Sequence, residues 1–110
     1  MPYVQLTPAL FEHVAGRFKA LAEPARLQIL HTLRAGEHTV SELVEATALG
    51  QANVSKHLQL LHAAGFVSRR KDGLWGYYAL AGDDVVRLCD LMCGRLEAET
   101  AAVRRRLAAR

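Results

Sequence analysis

The chain has 110 residues, 51% of them hydrophobic, with 14 Lys plus Arg against 11 Asp plus Glu for a net charge of +3. That is one domain, 1–110, with enough apolar content to fold, which excludes two-domain, disordered and collagen-like organisation. A domain this small buries only about two thirds of its unfolded surface, so a second subunit covering an apolar face adds much of the stability.

Thr7-Pro8 joins an N-cap residue to proline at the first helical position, and Leu10, Phe11, Val14, Phe18 and Leu21 recur at helical spacing. This predicts a first helix over about 8–22. Glu23-Pro24 breaks it, because the residue before proline is pushed out of the α region. A second helix carries Leu27, Ile29, Leu30 and Leu33 and stops at Gly36. Thr39-Val40-Ser41-Glu42 is a capping box that opens a short third helix, and Ala48-Leu49-Gly50 is a three-residue turn containing glycine. A fourth helix over about 51–64 completes a helix-turn-helix over 39–64. Behind it come a strand, a type I′ turn at Asp72-Gly73 and a returning aromatic strand, a hairpin over 66–80. A fifth helix fills 84–108. The fold class expected is mainly α with a β-hairpin (α+β): four helices, two strands, one helix.

Charge sharpens this layout. Residues 1–50 carry four basic and five acidic side chains, 51–82 four and one, and 83–110 six and five. The positive excess therefore sits on the fourth helix and the hairpin, which suggests one nucleic-acid-binding face, although neutral enzymes also carry such segments.

On a helical wheel Val54, Leu58 and Leu61 define the buried side of the fourth helix. Ala52, Asn53, Ser55, Lys56 and Gln59 point away from it, with Gln51 at the N-terminal end and His57 on the flank. Asn and Gln bond bidentately to adenine, Lys reaches guanine or phosphate, and small Ala and Ser admit the DNA backbone. An ordinary solvated helix face has the same pattern. The hairpin adds Arg69, Arg70 and Lys71 before its tip and Tyr77 and Tyr78 after it, a basic ribbon suited to phosphates and to an adjacent minor groove. The competing reading is an edge strand protected by charge.

Here the sequence resembles a known family. Residues 21–30 (LAEPARLQIL), 51–61 (QANVSKHLQLL), 64–67 (AGFV) and 76–80 (GYYAL) are similar to those of the ArsR/SmtB winged helix-turn-helix repressors, and the likeness covers roughly 10–97. The resemblance implies a cytoplasmic homodimer, paired through its first and fifth helices. It would bind a palindromic double-stranded DNA operator and leave it when a metal ion, metalloid or thiol-reactive species arrives. No run of about 18 apolar residues and no basic-then-apolar N-terminus is present, so neither a membrane span nor a secretory signal is expected.

Val86, Cys89, Cys93, Leu96, Thr100, Val103 and Leu107 form a heptad seam along the fifth helix. A second stripe, Val85, Leu88, Leu91 and Met92, is expected to face its own subunit. A 25-residue helix is roughly 37 Å long, more than one small domain covers, so the far seam suits a symmetry mate. Val86, Leu96, Val103 and Leu107 are the expected interface residues. Cys89 and Cys93 lie on this seam, either as small packing hydrophobes or as a sensor pair. Their Cβ atoms should stand roughly 6 Å apart, against ~3.8 Å in a relaxed disulfide, so a bridging soft ion such as As(III) or Sb(III), a sulfur bridge or an intersubunit bond suits them better. No cofactor is required; the inducer is a metalloid, soft ion or thiol modification.

Two familiar sites of the resembling family are missing. The Cys-Val-Cys of the third helix falls here on Val44-Glu45-Ala46, and no histidine follows His62 to build the zinc site of the fifth helix. His57 and His62, five residues apart, read as boundary residues or phosphate donors. His13, His31 and His38 lack a Cys or acidic partner at metal-binding spacing. An enzyme is not expected, since Cys89 and Cys93 lie mid-helix and no phosphate loop or nucleophile elbow occurs. The alternatives are a regulator with structural cysteines only, or a protein-binding module.

Overall fold

A computed structural model describes residues 5–109. The outer residues of the expected domain, 1–4 and 110, lie outside them. Helix α1 spans Pro8–Leu21, α2 Pro24–Thr32 with a 3₁₀ turn Leu33–Ala35, α3 Val40–Thr47, α4 Gln51–Ala63 and α5 Asp84–Ala108; the strands are β1 His38–Thr39, β2 Val67–Asp72 and β3 Trp75–Leu80.

The helix boundaries follow local chemistry. The Thr7 hydroxyl accepts from the Leu10 amide at 3.2 Å, and Pro8 opens α1 without wasting an amide. At α3 the Thr39 hydroxyl accepts from Glu42 N–H at 3.2 Å while the Glu42 carboxylate accepts from Thr39 N–H at 2.8 Å, closing the capping box.

The three-residue turn 48–50 joins α3 to α4 as expected, whereas the hairpin turn needs correction. Between α3 and α4 the left-handed residue is Ala48 (φ 59°), whose N–H closes on Val44 C=O at 3.0 Å, whereas Gly50 has φ −66° and serves as the N-cap of α4. The chain reverses directly after Thr47, two residues before the glycine. In the hairpin Asp72 pairs with Trp75, so the loop residues are Gly73 and Leu74 rather than Asp72 and Gly73. Only Gly73 has positive φ (61°), which is the pattern of a II′ rather than a I′ turn.

A third strand was not foreseen. β1 pairs antiparallel with β3 through His38–Tyr78 and Thr39–Tyr77, giving the order β1-β3-β2. Two residues are too few to show strand alternation, and Thr39 also serves as the α3 N-cap.

The core gathers Leu21, Ile29, Leu30, Leu33, Leu43, Val54, Leu58, Leu61, Val67, Tyr78 and Val85. Every helix contributes, but α1 buries only Ala20 and Leu21, leaving Phe11, Val14 and Phe18 about half exposed. Leu27 of α2 is also exposed.

The expected inner stripe of α5 is overturned beyond its first residue. Val85 is buried, yet Leu88, Leu91 and Met92 are exposed, and the core is met instead by Val86 and Cys89 from the predicted outer seam. The helix meets the body with a face between the two stripes, then runs clear of it; every residue 90–100 is exposed. Arg34 holds this departure point by a bidentate pair with Asp90 at 2.8 and 3.2 Å.

Candidate nucleic-acid interface

Burying Val54, Leu58 and Leu61 completely fixes the rotation of α4. Gln51, Ala52, Asn53, Lys56 and Gln59 are consequently exposed together, with Ser55 half-buried beside them. His57 is turned elsewhere: its Nδ1 stands 3.2 Å from Arg26 Nη1, and Arg26 also donates to the carbonyls of Ala20 and Lys19. A guanidinium only donates, so Nδ1 is the acceptor of this bond. His57 is thereby a bracket between α2 and α4.

In the hairpin, side-chain alternation divides the three cations. Val67 is buried, so Arg69 and Lys71 share its side of the sheet, the side from which α4 packs. Neither makes a salt bridge among the described residues. Arg70 lies on the opposite side, bonded to both oxygens of Glu37 and stacked over Tyr77 at 4.5 Å from the ring centroid. Asp72 adds a looser contact at 3.8 Å. The Arg70 guanidinium holds the Glu37 carboxyl below its ordinary range. No local pattern signals this pairing, because Glu37 reaches Arg70 only through the unforeseen strand β1.

Cys89 and Cys93 open on a second feature, an apolar groove of about 600 Å³ between α1, α2 and α5 that is also lined by Phe18, Leu27 and His31. Cys93 is exposed and Cys89 half-buried. Burial pushes the Cys89 thiol pKa up, aided by the neighbouring Cys93 and Asp90 and opposed by Arg34. His31 shares the groove, yet no group of three His, Cys, Asp or Glu among the described residues is placed to hold a metal. His38 is occupied locally, its Nδ1 2.8 Å from Gly36 C=O. Among the described residues no helix is long and apolar enough to cross a membrane.

Residues 23–69 match the model of the family described as "Bacterial regulatory protein, arsR family". The chain is 43% identical over 84 residues to the HTH-type transcriptional regulator Rv0324 of Mycobacterium tuberculosis, covering 76% of this chain and 37% of that protein. It is 40% identical over 85 residues to the "Probable mercury resistance operon repressor" of Streptomyces lividans, covering 77% and 67% of the two chains. The chain belongs to the ArsR family. Its fold agrees with the solution structure of the homodimeric winged helix-turn-helix DNA-binding domain Mb0332 of Mycobacterium bovis, at 37% identity and TM-score 0.74 over 86% of this chain and 91% of that one. In this fold α3 and α4 form the helix-turn-helix and β2–β3 the wing.

Proposed function

We propose that this ArsR-family chain works as a homodimer that represses by binding a palindromic operator and is released when a thiol-directed inducer reacts at Cys89 and Cys93. The observation that carries the DNA half is the exposed face of α4, Gln51, Asn53, Lys56 and Gln59, held in place by three fully buried residues on the other side. The free N-terminal end of α4, where Gly50 offers no side chain to the first amides, suits an adjacent phosphate. Pairing is supported by the exposed apolar residues of α1 and α5, above all Phe11, Phe18, Leu96, Val103 and Leu107, and by the homodimeric relative. Val86 is the exception among the expected interface residues, since it packs on its own core.

The sensing half is supported by two thiols one helical turn apart on one groove, and by a relative named for mercury resistance. These donors suit a soft ion such as As(III), Sb(III) or Hg(II), whose remaining coordination would come from the partner subunit or solvent. Covalent oxidation or sulfur transfer uses the same pair. The reading with purely structural cysteines draws on the packing of Cys89 against the core. Labelled operator duplex, loaded with the protein and challenged with arsenite, antimonite, mercury(II), cadmium, peroxide or polysulfide, separates the two. Wild type should release the DNA with at least one of them, and the double variant Cys89→Ser, Cys93→Ser should bind but not release. Equal release from both proteins would remove the cysteines from the mechanism.

A further inference from the structure

Apart from Leu6 and Leu60, the large exposed apolar side chains fall into two groups. One lies on α1, α2 and α5, the surface offered to a second copy. The other is a pair at the apex of the wing: Leu74 is fully exposed and Trp75 is 59% exposed. The core makes no demand on either, and a hairpin tip ordinarily carries polar residues. Their setting identifies the occupant. Lys71 and Arg69 lie behind the tip on the α4 side, and Arg70, already held by Glu37, also answers Asp72, the one acidic side chain near the apex. Trp75 shares the Arg70 and Tyr77 face while Arg69 and Lys71 lie on the other, so the apolar point has cations on both faces of the ribbon behind it, which fits a groove of DNA, where phosphates flank an apolar sugar wall and stacked bases.

We propose that Leu74 is a wedge which enters the minor groove beside the half-site read by α4 and partly opens a base step there, with Trp75 seated against the exposed sugar and base edge. This rests on the operator-binding reading and adds to it a contact that carries flank preference. Opening a step is least costly at pyrimidine–purine steps, so TA or CA at the wing position should be favoured over stiff A-tracts. Lys71 and Arg69 would hold the flanking phosphates, and Gly73 supplies the positive-φ apex that projects Leu74 outward.

Trp75 is the only tryptophan of the chain, so its emission reports the wing tip directly. Duplexes enriched from a random pool by the wild-type chain serve as the probe, with binding followed by anisotropy of the labelled DNA and bending by end-to-end energy transfer. Binding should quench Trp75 and bend the duplex. Leu74→Ser should weaken binding by about tenfold, since part of a leucine's burial is lost while unstacking no longer has to be offset. The same variant should lower the bend and erase the preference for TA over AA at the flank, yet keep the base preferences set by Lys56 and Gln59. Leu74 touches nothing in the core, and an unchanged melting curve would confirm that the variant folds. A duplex that binds while Trp75 emission stays unmoved, or a Leu74→Ser variant with wild-type affinity and bend, overturns the wedge and leaves operator binding intact. An emission shift that follows protein concentration without DNA would assign the tip to contacts between copies and overturns it too. Failure to enrich any duplex would instead sink the operator reading beneath it.

Discussion

Arg26 Nη1 on α2 meets His57 Nδ1 on α4 at 3.2 Å, while the same guanidinium caps the carbonyl end of α1 through Ala20 and Lys19. One side chain thus ties three helices together. Arg26→Met should cost about 1–3 kcal/mol in urea unfolding, because charge-assisted bonds are lost while their acceptors remain part-buried. His57→Phe should cost less, since the α1 cap survives. If Arg26→Met leaves the unfolding midpoint in place, the bracket has no energetic role.

The DNA face should separate into two kinds of residue. Lys56→Ala or Gln59→Ala should relax base preference at one position, by about 1–3 kcal/mol where a bidentate contact is lost. Arg69→Ala and Lys71→Ala should weaken all sequences alike and each lower the slope of log affinity against log salt by about one. Arg70→Ala should change that slope least of the three, because its charge is already answered by Glu37. Competitive binding across a salt series measures all five variants.

Acid should loosen the wing and α3 before it unfolds the core. The Glu37 carboxyl is held below its ordinary pKa of 4.5 by Arg70, and that of Glu42 below the same value by the amide and hydroxyl of Thr39. A folded pKa lower than the unfolded one stabilises above the unfolded value and fades as pH falls through the folded one. Stability should therefore decline as pH drops below about 4.5, and the double variant Glu37→Gln, Glu42→Gln should flatten that decline. Both sites are exposed, so the effect is small; thermal melts between pH 6 and about 3 would show it.

The two thiols should react in order. Cys93 is exposed, whereas burial and nearby groups raise the Cys89 pKa and reduce its thiolate. Limited iodoacetamide followed by peptide mass mapping should find Cys93 modified first. Arg34→Met, which removes the one neighbour that lowers the Cys89 pKa, should slow Cys89 further. The reverse order would mean that the partner helix covers Cys93.

Ala48 sits in the left-handed region without glycine's freedom. Ala48→Gly should stabilise the protein by about 0.5–1 kcal/mol, the cost of that conformation less the extra entropy of the unfolded chain. A lower denaturation midpoint would show that the Ala48 methyl contributes more to packing than the backbone gains.

The elements were legible where the signal was local. Thr7-Pro8, the Thr39–Glu42 box and the Val54–Leu58–Leu61 stripe each specify a boundary or a face through contacts within a few residues. The family motifs then placed the helix-turn-helix and the wing. What sequence could not show depends on meetings distant along the chain: Arg70 with Glu37, Arg26 with His57, Arg34 with Asp90. The same holds for α5, whose two apolar stripes are written in the sequence but whose angle to the body decides that Val86 and Cys89, and not Leu88 and Met92, reach the core. Leu74 and Trp75 were readable as residues, but their isolation at the apex depended on which two residues form the turn.

Strand β1 passes into α3 with no residue between them, while its other edge is zipped to the wing through Tyr77 and Tyr78. Helix-turn-helix and hairpin therefore move as a single caliper, and the wing has no hinge of its own. On the proposed operator-binding reading, the offset along the DNA between the bases met by α4 and the flank met by the wing should be one fixed length. A single base pair inserted between them should be as damaging as a wrong base, and natural operators should vary in the spacing between half-sites more readily than in the spacing within one.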